Sequence, residues 1–120
     1  MNRKVSIAPM MDCTDRHDRY FLRLISKNTM LYTEMIVANA IIRGDRNFLL
    51  NFNNLEKPLA LQIGGSNTKE LAECAKIAEN YGYDEINLNL GCPSKKVQKN
   101  KFGAGLMKEP NLVGDCIGEM

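Results

Sequence analysis

The chain has 120 residues, of which 44% are hydrophobic and 25% are charged, and it carries a formal net charge of +2 at pH 7. This composition is typical of a folded globular protein, and so small a net charge does not by itself indicate a polyanionic partner. The apolar runs are far shorter than the roughly 20 residues of a membrane-spanning helix, so no membrane span is predicted.

Four short strands are predicted, and their starting positions are 25 to 29 residues apart. They cover Val5–Met10, Met30–Met35, Leu59–Gly64 and Glu85–Leu90. This spacing suits a strand followed by a helix and is too long for a simple meander. The sequence therefore predicts an α/β fold with a parallel sheet.

Helices are predicted between these strands. The first covers about residues 15–26, with Thr14 as its cap and four apolar side chains along one stripe. The stripe consists of Tyr20, Phe21, Leu24 and Ile25. A second, short helix is predicted at about residues 36–43.

The third predicted helix has the clearest boundaries. Asn67 and Glu70 have the spacing of a capping box at its start, and Gly82 suits the position just after its end. A fourth helix is predicted to begin near Pro110.

The two faces of the predicted strands differ in chemistry, because successive side chains of a strand point to opposite faces. Asn87 and Asn89 share one face of the fourth strand, Gln62 opposes aliphatic side chains in the third, and Leu31 and Met35 are expected on one face of the second. A doubly wound sheet is apolar on both faces. Aliphatic side chains toward the helices and polar ones toward the lumen favour a (βα)₈ barrel. Four half-exposed strands in another α/β fold are the alternative.

The length of the chain corresponds to half of such a barrel. A complete barrel needs about 250 residues, and four βα units supply half of it. An isolated half leaves two open sheet edges and an exposed lumen face, which favours association. We therefore expect a truncated barrel, which is an expressed fragment, the product of a split reading frame, or a half that pairs with another half.

The cysteines and the single histidine do not have the spacing of a zinc site. Cys13, Cys74, Cys92 and Cys116 include no C-x-x-C pair, and the only histidine is His17. The low cysteine density does not suggest a disulfide framework. We expect reduced thiols in a cytoplasmic protein, no metal site, and His17 on a helix surface.

Several strand ends carry residues that can bind a ligand, and each also has a structural explanation. Pro9 ends the first strand, where the following backbone and methionines can face a planar ligand or form an ordinary turn. Gln62 can bond a ring system or satisfy buried backbone groups. The amides of Asn87 and Asn89 need partners, which are each other or a ligand. Cys92 is interpreted as a packed residue in preference to a reactive thiol.

A basic loop is predicted after the fourth strand, over residues 94–101. It contains no acidic residue and carries Lys95, Lys96, Lys99 and Lys101. Lysines at the mouth of a barrel can contact phosphates without reading a base sequence. A solvated loop that its charge keeps soluble is the alternative.

Four strings occur together: T-D-R-H at 14–17, L-Y-T-E-M at 31–35, L-Q-I-G-G at 61–65, and Y-D-E-I-N-L-N-L-G-C-P-S at 83–94. This combination resembles the tRNA-dihydrouridine synthases, most closely their A-type bacterial subfamily. The resemblance implies a TIM barrel that binds FMN, which NADPH reduces. Reduced flavin then passes hydride to C6 of a uridine at D-loop position 20 or 20a, and a cysteine gives a proton to C5. The target base must leave its stack to react.

The resemblance also implies roles for individual residues. FMN contacts are expected from Pro9, Met10, Met11, Gln62 and Asn89. Phe102 and the four lysines of the basic loop are expected to contact the tRNA. Gly105 stands where the family's G-A-C-L-M segment carries the proton-donating cysteine. Glu34 is expected to converge with the amides around the flavin.

These roles imply that residues 1–120 are a truncated N-terminal half of an FMN-binding barrel, with the other half and a helical tRNA-binding domain absent. Glycine has no acid group, and positioned proton transfer is typically worth about 10²–10⁴-fold in rate. We therefore expect the chain alone to be inactive. The alternatives are a non-catalytic remnant, a half-barrel subunit that needs a partner, and another FMN-barrel oxidoreductase.

Overall fold

The computed structural model describes residues 4–120, in which a small parallel sheet packs against helices. The strands are Leu31–Tyr32 (β1), Ile36–Val37 (β2), Leu59–Gly64 (β3) and Glu85–Leu88 (β4). The α-helices are Arg16–Ile25 (α1), Ala38–Arg43 (α2), Arg46–Leu50 (α3), Thr68–Tyr81 (α4), Lys95–Lys99 (α5) and Pro110–Glu119 (α6). Two 3₁₀ helices are Asn54–Glu56 and Gly103–Lys108. The predicted α/β class with a parallel sheet is confirmed.

The strands are arranged in the order of the chain. β1 and β2 both pair in parallel with β3, and β4 pairs in parallel with the other edge of β3. The predicted first strand, Val5–Met10, is reduced to one parallel bridge between Ser6 and Met30. Pro9 has no amide hydrogen to extend this ladder, and the chain turns directly after it.

β1 and β2 are two parts of the second predicted strand, separated by a bulge. Tyr32 pairs with Ala60 and Ile36 pairs with Ile63, so four residue steps on one strand oppose three on the other. One extra residue of this kind defines a β-bulge. The hydroxyl oxygen of Thr33 lies inside the bulge and accepts a hydrogen bond from the backbone N–H of Gln62 at 3.0 Å.

The bulge reverses the alternation of side chains along the predicted strand. Leu31 lies opposite Leu59 and Ile36 opposite Ile63, on the aliphatic face of β3. Met35 directly precedes Ile36 and therefore points to the polar face. The prediction that Leu31 and Met35 share a face is wrong, because the inserted residue changes the register between them.

The main core lies between the aliphatic face of the sheet and α2, α4 and α6. Its fully buried side chains include Ile41, Leu61, Ile63, Leu71 and Cys74. A smaller cluster of Val97, Phe102 and Leu106 lies beyond the ends of the strands, and Met35 packs against it.

α4 has the boundaries that the sequence predicts. The Asn67 side chain accepts the Glu70 amide at 3.1 Å at its start. Gly82 ends the helix with a φ of 85°, in the left-handed region that glycine adopts without a steric penalty.

α1 differs from its prediction in both its cap and its buried face. Asp15, and not Thr14, caps the helix, because its carboxylate accepts the amides of His17 and Asp18 at 2.9 Å each. The hydrogen bond from the Asp18 amide is the largest influence that lowers the pKa of Asp15. Thr14 instead accepts the amide of Met10 at 3.0 Å and so closes the preceding turn.

Arginines, and not the predicted apolar stripe, form the buried face of α1. Arg19 Nε lies 2.7 Å from Glu56 Oε2, and both side chains are buried. Arg23 donates to the carbonyl oxygens of Glu56 and Pro58 at 2.9 and 3.0 Å. Burial lowers the pKa of Arg23. The stripe of Tyr20, Phe21, Leu24 and Ile25 is exposed.

The remaining helices follow the prediction with two changes and one addition, since the sequence predicted no helix where α3 lies. α2 begins at Ala38, after β2 has taken the first two residues of the predicted segment. α5 replaces part of the predicted basic loop, and α6 begins at Pro110 as predicted. Within residues 4–120, none of the helices has both the length and the apolar character needed to cross a bilayer.

Candidate active site

Three side-chain amides form a connected row on the polar face of β3 and β4. Gln62 Nε2 donates to Asn87 Oδ1 at 2.7 Å, and Asn89 Nδ2 donates to Gln62 Oε1 at 2.9 Å. The predicted convergence of these residues follows from strand parity, since Gln62 pairs with Asn87 in the parallel register. Asn87 belongs to the row although the resemblance assigns it no role.

The backbone after β4 determines which way each amide points. The amides of Gly91 and Cys92 donate to Asn89 Oδ1 at 3.3 and 3.0 Å. Backbone amides only donate, so Asn89 Nδ2 must point to Gln62, whose own nitrogen then points to Asn87. The row therefore keeps N–H groups that have no acceptor within it, whereas Asn89 Oδ1 already accepts two backbone amides. Such a row suits a ligand whose edge is rich in hydrogen-bond acceptors.

A cavity of about 430 Å³ opens beside this row, and we call it the amide cavity. It is lined by Pro9, Met10, Met11, Met35, Gln62, Asn89, Gly91 and Cys92. All five residues that the sequence predicts as cofactor contacts are among them. Amide N–H groups opposite polarizable thioethers form a surface that can hold a planar heteroaromatic ring.

A second cavity of about 730 Å³ adjoins the amide cavity, and Met11, Met35 and Cys92 line both. Gly64 and Phe102 also line the second cavity. A side chain at position 64 would meet the Phe102 ring at 2.8 Å and the Met35 sulfur at 2.9 Å. Glycine at this position therefore lets both side chains lie over the end of β3.

Cys92 is the thiol that reaches these cavities. Its amide donates to Asn89, and its carbonyl oxygen accepts the Ala104 amide at 3.0 Å. The residue is held at both ends by hydrogen bonds while its side chain remains half-buried beside the cavities. Cys92 also packs against the cluster of Val97, Phe102 and Leu106, and neither its size nor the Pro93 that follows it indicates the cavity beside it.

Gly105 lies in the 3₁₀ helix Gly103–Lys108 and lines neither cavity. A Cβ atom there would meet no neighbouring atom within 4 Å, so the position has space for the first atom of a side chain. The structure gives no support to the assignment of the proton donor to this position.

Phe102 is buried, with 6% of its surface exposed, and packs against Met35. A tRNA contact by Phe102 therefore requires a base that enters the second cavity. That contact stays a prediction.

Glu34 does not join the amides. Its Oε1 atom accepts the Asp12 amide at 2.5 Å, and Glu34 lines a separate groove beside α1 with Arg16 and His17. The expected convergence of Glu34, Gln62 and Asn89 is thus wrong for Glu34, because the bulge that precedes Ile36 redirects it toward the loop after Pro9.

The basic segment presents its lysines to solvent. Lys95, Lys96, Lys99 and Lys101 are all exposed, three of them on α5. Lys96 also lines the second cavity, so the positive charge reaches its rim. The four lysines stay predicted tRNA contacts.

The thiols fall into two groups by environment. Burial raises the pKa of Cys74 to about 11, and its Sγ atom lies 3.6 Å from the Ala38 carbonyl oxygen. Burial also raises the pKa of Cys116. Cys13 is exposed and Cys92 lines the cavities. No group of three or more metal-ligating His, Cys, Asp or Glu side chains occurs within residues 4–120.

This division predicts selective alkylation. At pH 8 a thiol with a pKa of about 11 is ionised in about one molecule per thousand, and the thiolate is the reactive form. We expect iodoacetamide to modify Cys13 and Cys92 at least about tenfold faster than Cys74 and Cys116, as measured by peptide mass spectrometry. All four should react alike in urea, and equal rates in the folded chain would contradict the burial of Cys74 and Cys116.

Comparison with known proteins gives one family across almost the whole chain. The family model described as dihydrouridine synthase (Dus) matches residues 6–120. A tRNA-dihydrouridine(20/20a) synthase from Synechocystis sp. is 60% identical over 116 residues, which cover 97% of this chain and 35% of that protein.

Two further proteins with the same name are similar. The one from Vibrio parahaemolyticus is 60% identical over 98% of this chain, and the one from Pseudomonas aeruginosa is 56% identical over all of it. Each match covers 36% of the relative. The chain therefore spans about a third of the length of the curated relatives that it matches.

Proposed function

Since the chain belongs to the dihydrouridine synthase family, we propose that it is part of a flavin-dependent enzyme that reduces uridine to 5,6-dihydrouridine in tRNA. The relatives' names give positions 20 and 20a as the targets, and we propose the same targets here. The observation that carries the proposal is that Gln62 and Asn89 of the amide row line one cavity together with the other predicted cofactor contacts.

The proposed architecture is the N-terminal half of a (βα)₈ barrel. Parallel strands in chain order, with one aliphatic and one polar face, are expected of one side of such a barrel. The amides lie at the C-terminal ends of β3 and β4, where barrel enzymes carry their catalytic groups. The relatives are almost three times as long, so the other half barrel and an RNA-binding domain have room in the part that this chain does not match.

The amide cavity fits the isoalloxazine ring of FMN in its donor set. Gln62 and Asn89 offer N–H groups to the carbonyl and ring-nitrogen acceptors of a flavin, while Met10 and Met11 offer polarizable surface. When bound, FMN reduced by NADPH supplies a hydride for C6 of the uracil.

Cys92 is the proposed source of the proton for C5. It lines both the amide cavity and the second cavity, which has room for a flipped base. Its S–H bond breaks as the proton moves to C5, and solvent returns a proton to the thiolate. Phe102 and Met35 supply an apolar wall for the base.

The proposal is tested in a chimera in which this chain replaces the matching segment of the Synechocystis relative. We expect the chimera to bind FMN and to form dihydrouridine in unmodified tRNA with NADPH, as measured by nucleoside mass spectrometry. A folded chimera that binds FMN without forming dihydrouridine would favour a non-catalytic remnant. Oxidation of a small molecule without tRNA would favour another flavin oxidoreductase.

Asn89→Asp in the chimera is expected to weaken FMN binding at least about tenfold. The new carboxylate still accepts the Gly91 and Cys92 amides but presents an acceptor to Gln62 Oε1, so the Gln62 amide must turn and the donor row is lost. Titration followed by flavin fluorescence measures the change. Asn47→Asp is the matched control, because Asn47 accepts a hydrogen bond from the Tyr81 hydroxyl outside the cavity. We expect the Asn47→Asp chimera to bind FMN with unchanged affinity.

Replacing Lys95, Lys99 and Lys101 together by glutamine is expected to weaken tRNA binding and its salt dependence. Removing one lysine–phosphate pair lowers the slope of log K against log salt by roughly 0.7–0.9, so removing three lowers it by roughly 2–3. Lys69→Gln with Lys76→Gln is the control, since both lysines are exposed on α4. An unchanged slope in the triple variant would exclude this segment from the tRNA interface.

A further inference from the structure

We propose that Glu34 is a positioning residue for the flavin ring, an inference that rests on the function proposed above. Its carboxylate holds the turn that carries Met10 and Met11, and these two side chains form one wall of the amide cavity. Glu34 itself lines neither the amide cavity nor the second cavity. It therefore acts on a bound ring through the turn and not by direct contact.

This turn closes with its own hydrogen bonds, which do not involve the backbone N–H of Asp12. The Met10 carbonyl oxygen accepts the N–H groups of Cys13 and Thr14 at 3.2 and 3.0 Å, and the Met10 N–H donates to the Thr14 hydroxyl oxygen at 3.0 Å. The Asp12 N–H donates instead to Glu34 Oε1 at 2.5 Å, 22 residues further along the chain. This bond joins the turn to the sheet, and we call it the Glu34–Asp12 bond.

Asp12 needs such a partner because its backbone has an uncommon conformation. Its φ is 62°, in the left-handed region that residues other than glycine adopt at a steric cost. A hydrogen bond to a charged acceptor shifts an equilibrium by roughly ten- to a hundredfold, which offsets that cost. The Glu34 carboxylate therefore selects the left-handed turn and, with it, the side of the cavity on which Met10 and Met11 lie.

The bulge between β1 and β2 fixes the point from which Glu34 reaches the turn. Thr33 is buried, and its hydroxyl donates to the Glu34 carbonyl oxygen at 2.8 Å and accepts the backbone N–H of Gln62 at 3.0 Å. Beyond the bulge, Ile36 pairs again with Ile63. The Glu34 backbone is thus held to β3 on both sides, so the bulge sets where the methionine wall stands relative to the amide row.

NMR of isotope-labelled methionine methyl groups tests the inference without flavin. In the 120-residue chain we expect Glu34→Ala to shift the methyl signals of Met10 and Met11, while Met30, which is 1% exposed in the core, keeps its signal. Glu34→Gln retains an oxygen acceptor, so its methyl signals should stay near those of the parent. Glu79→Ala is the matched control and should move none of them, because Glu79 is exposed on α4 and lines neither cavity.

FMN titration of the chimera measures the consequence for the ligand. We expect Glu34→Ala to weaken FMN binding about tenfold and Glu34→Gln to stay within about threefold of the parent. Asp12→Pro has no N–H and cannot adopt a positive φ, so it should weaken binding at least as much as Glu34→Ala. Adding Glu34→Ala to Asp12→Pro should weaken it no further, because both remove the Glu34–Asp12 bond. Asp12→Asn keeps the N–H and tolerates the left-handed region, and it should bind FMN as the parent does.

Unmoved Met10 and Met11 signals in Glu34→Ala would overturn the inference. So would shifted signals with unchanged FMN affinity, because the turn would then not position the ring. Equal losses of affinity in Glu34→Ala and Glu34→Gln would also contradict it, since the charge and not the hydrogen bond would then matter. A chimera that binds FMN without forming dihydrouridine would reject the proposed function, whereas the pattern among these variants would still decide the role of Glu34.

Discussion

Replacing Cys92 by alanine is expected to lower dihydrouridine formation by the chimera about 10²–10⁴-fold, with FMN binding unchanged. The thiol lines both cavities and is the proposed proton source for C5, and positioned proton transfer is typically worth this factor. The measurement is single-turnover conversion of unmodified tRNA by enzyme with reduced flavin, followed by nucleoside mass spectrometry. Single turnover isolates the chemical step from NADPH oxidation and product release.

Position 105 provides the control for this result. Gly105→Cys should fold normally, because a Cβ atom there meets no neighbouring atom within 4 Å, and it should change activity little. It should also fail to rescue Cys92→Ala, since position 105 lines neither cavity. An active Cys92→Ala enzyme, together with a large gain from Gly105→Cys, would return the proton donor to position 105.

The polar face of the sheet could be predicted because it depends only on strand parity. Gln62 lies on β3 and Asn89 directly follows β4, and alternation is uniform along both segments, so their convergence with the turn after Pro9 required no knowledge of packing. Met35 and Glu34 could not be placed, because the bulge between β1 and β2 inserts a residue that no local pattern marks. One inserted residue moves every later side chain of the strand to the opposite face of the sheet.

The buried face of α1 could not be predicted for a different reason. Its stripe suggested burial by the rule that apolar faces turn inward, and this rule fails where polar groups are paired and buried instead. The carboxylate that binds Arg19 belongs to Glu56, which lies 37 residues further along the chain. Long-range pairing of this kind leaves no periodic signal near the helix. The place of the Cys92 thiol leaves no local signal either, because its cavity is assembled from four separate segments of the chain.

Glu56→Ala is expected to lower the free energy of unfolding of the 120-residue chain by about 3–5 kcal/mol, the usual effect of removing one partner of a buried ion pair. Arg19 would keep its charge while its Nε atom loses its partner. The backbone N–H of Asn53 would lose its 2.8 Å hydrogen bond to Glu56 Oε1. Urea denaturation followed by circular dichroism measures the change.

Glu73→Ala is the matched control for this loss. Its pair with Arg46 spans 3.8 Å between half-exposed side chains, so its removal should cost at most about 1 kcal/mol. Equal effects of the two substitutions would show that the Arg19–Glu56 pair does not hold α1.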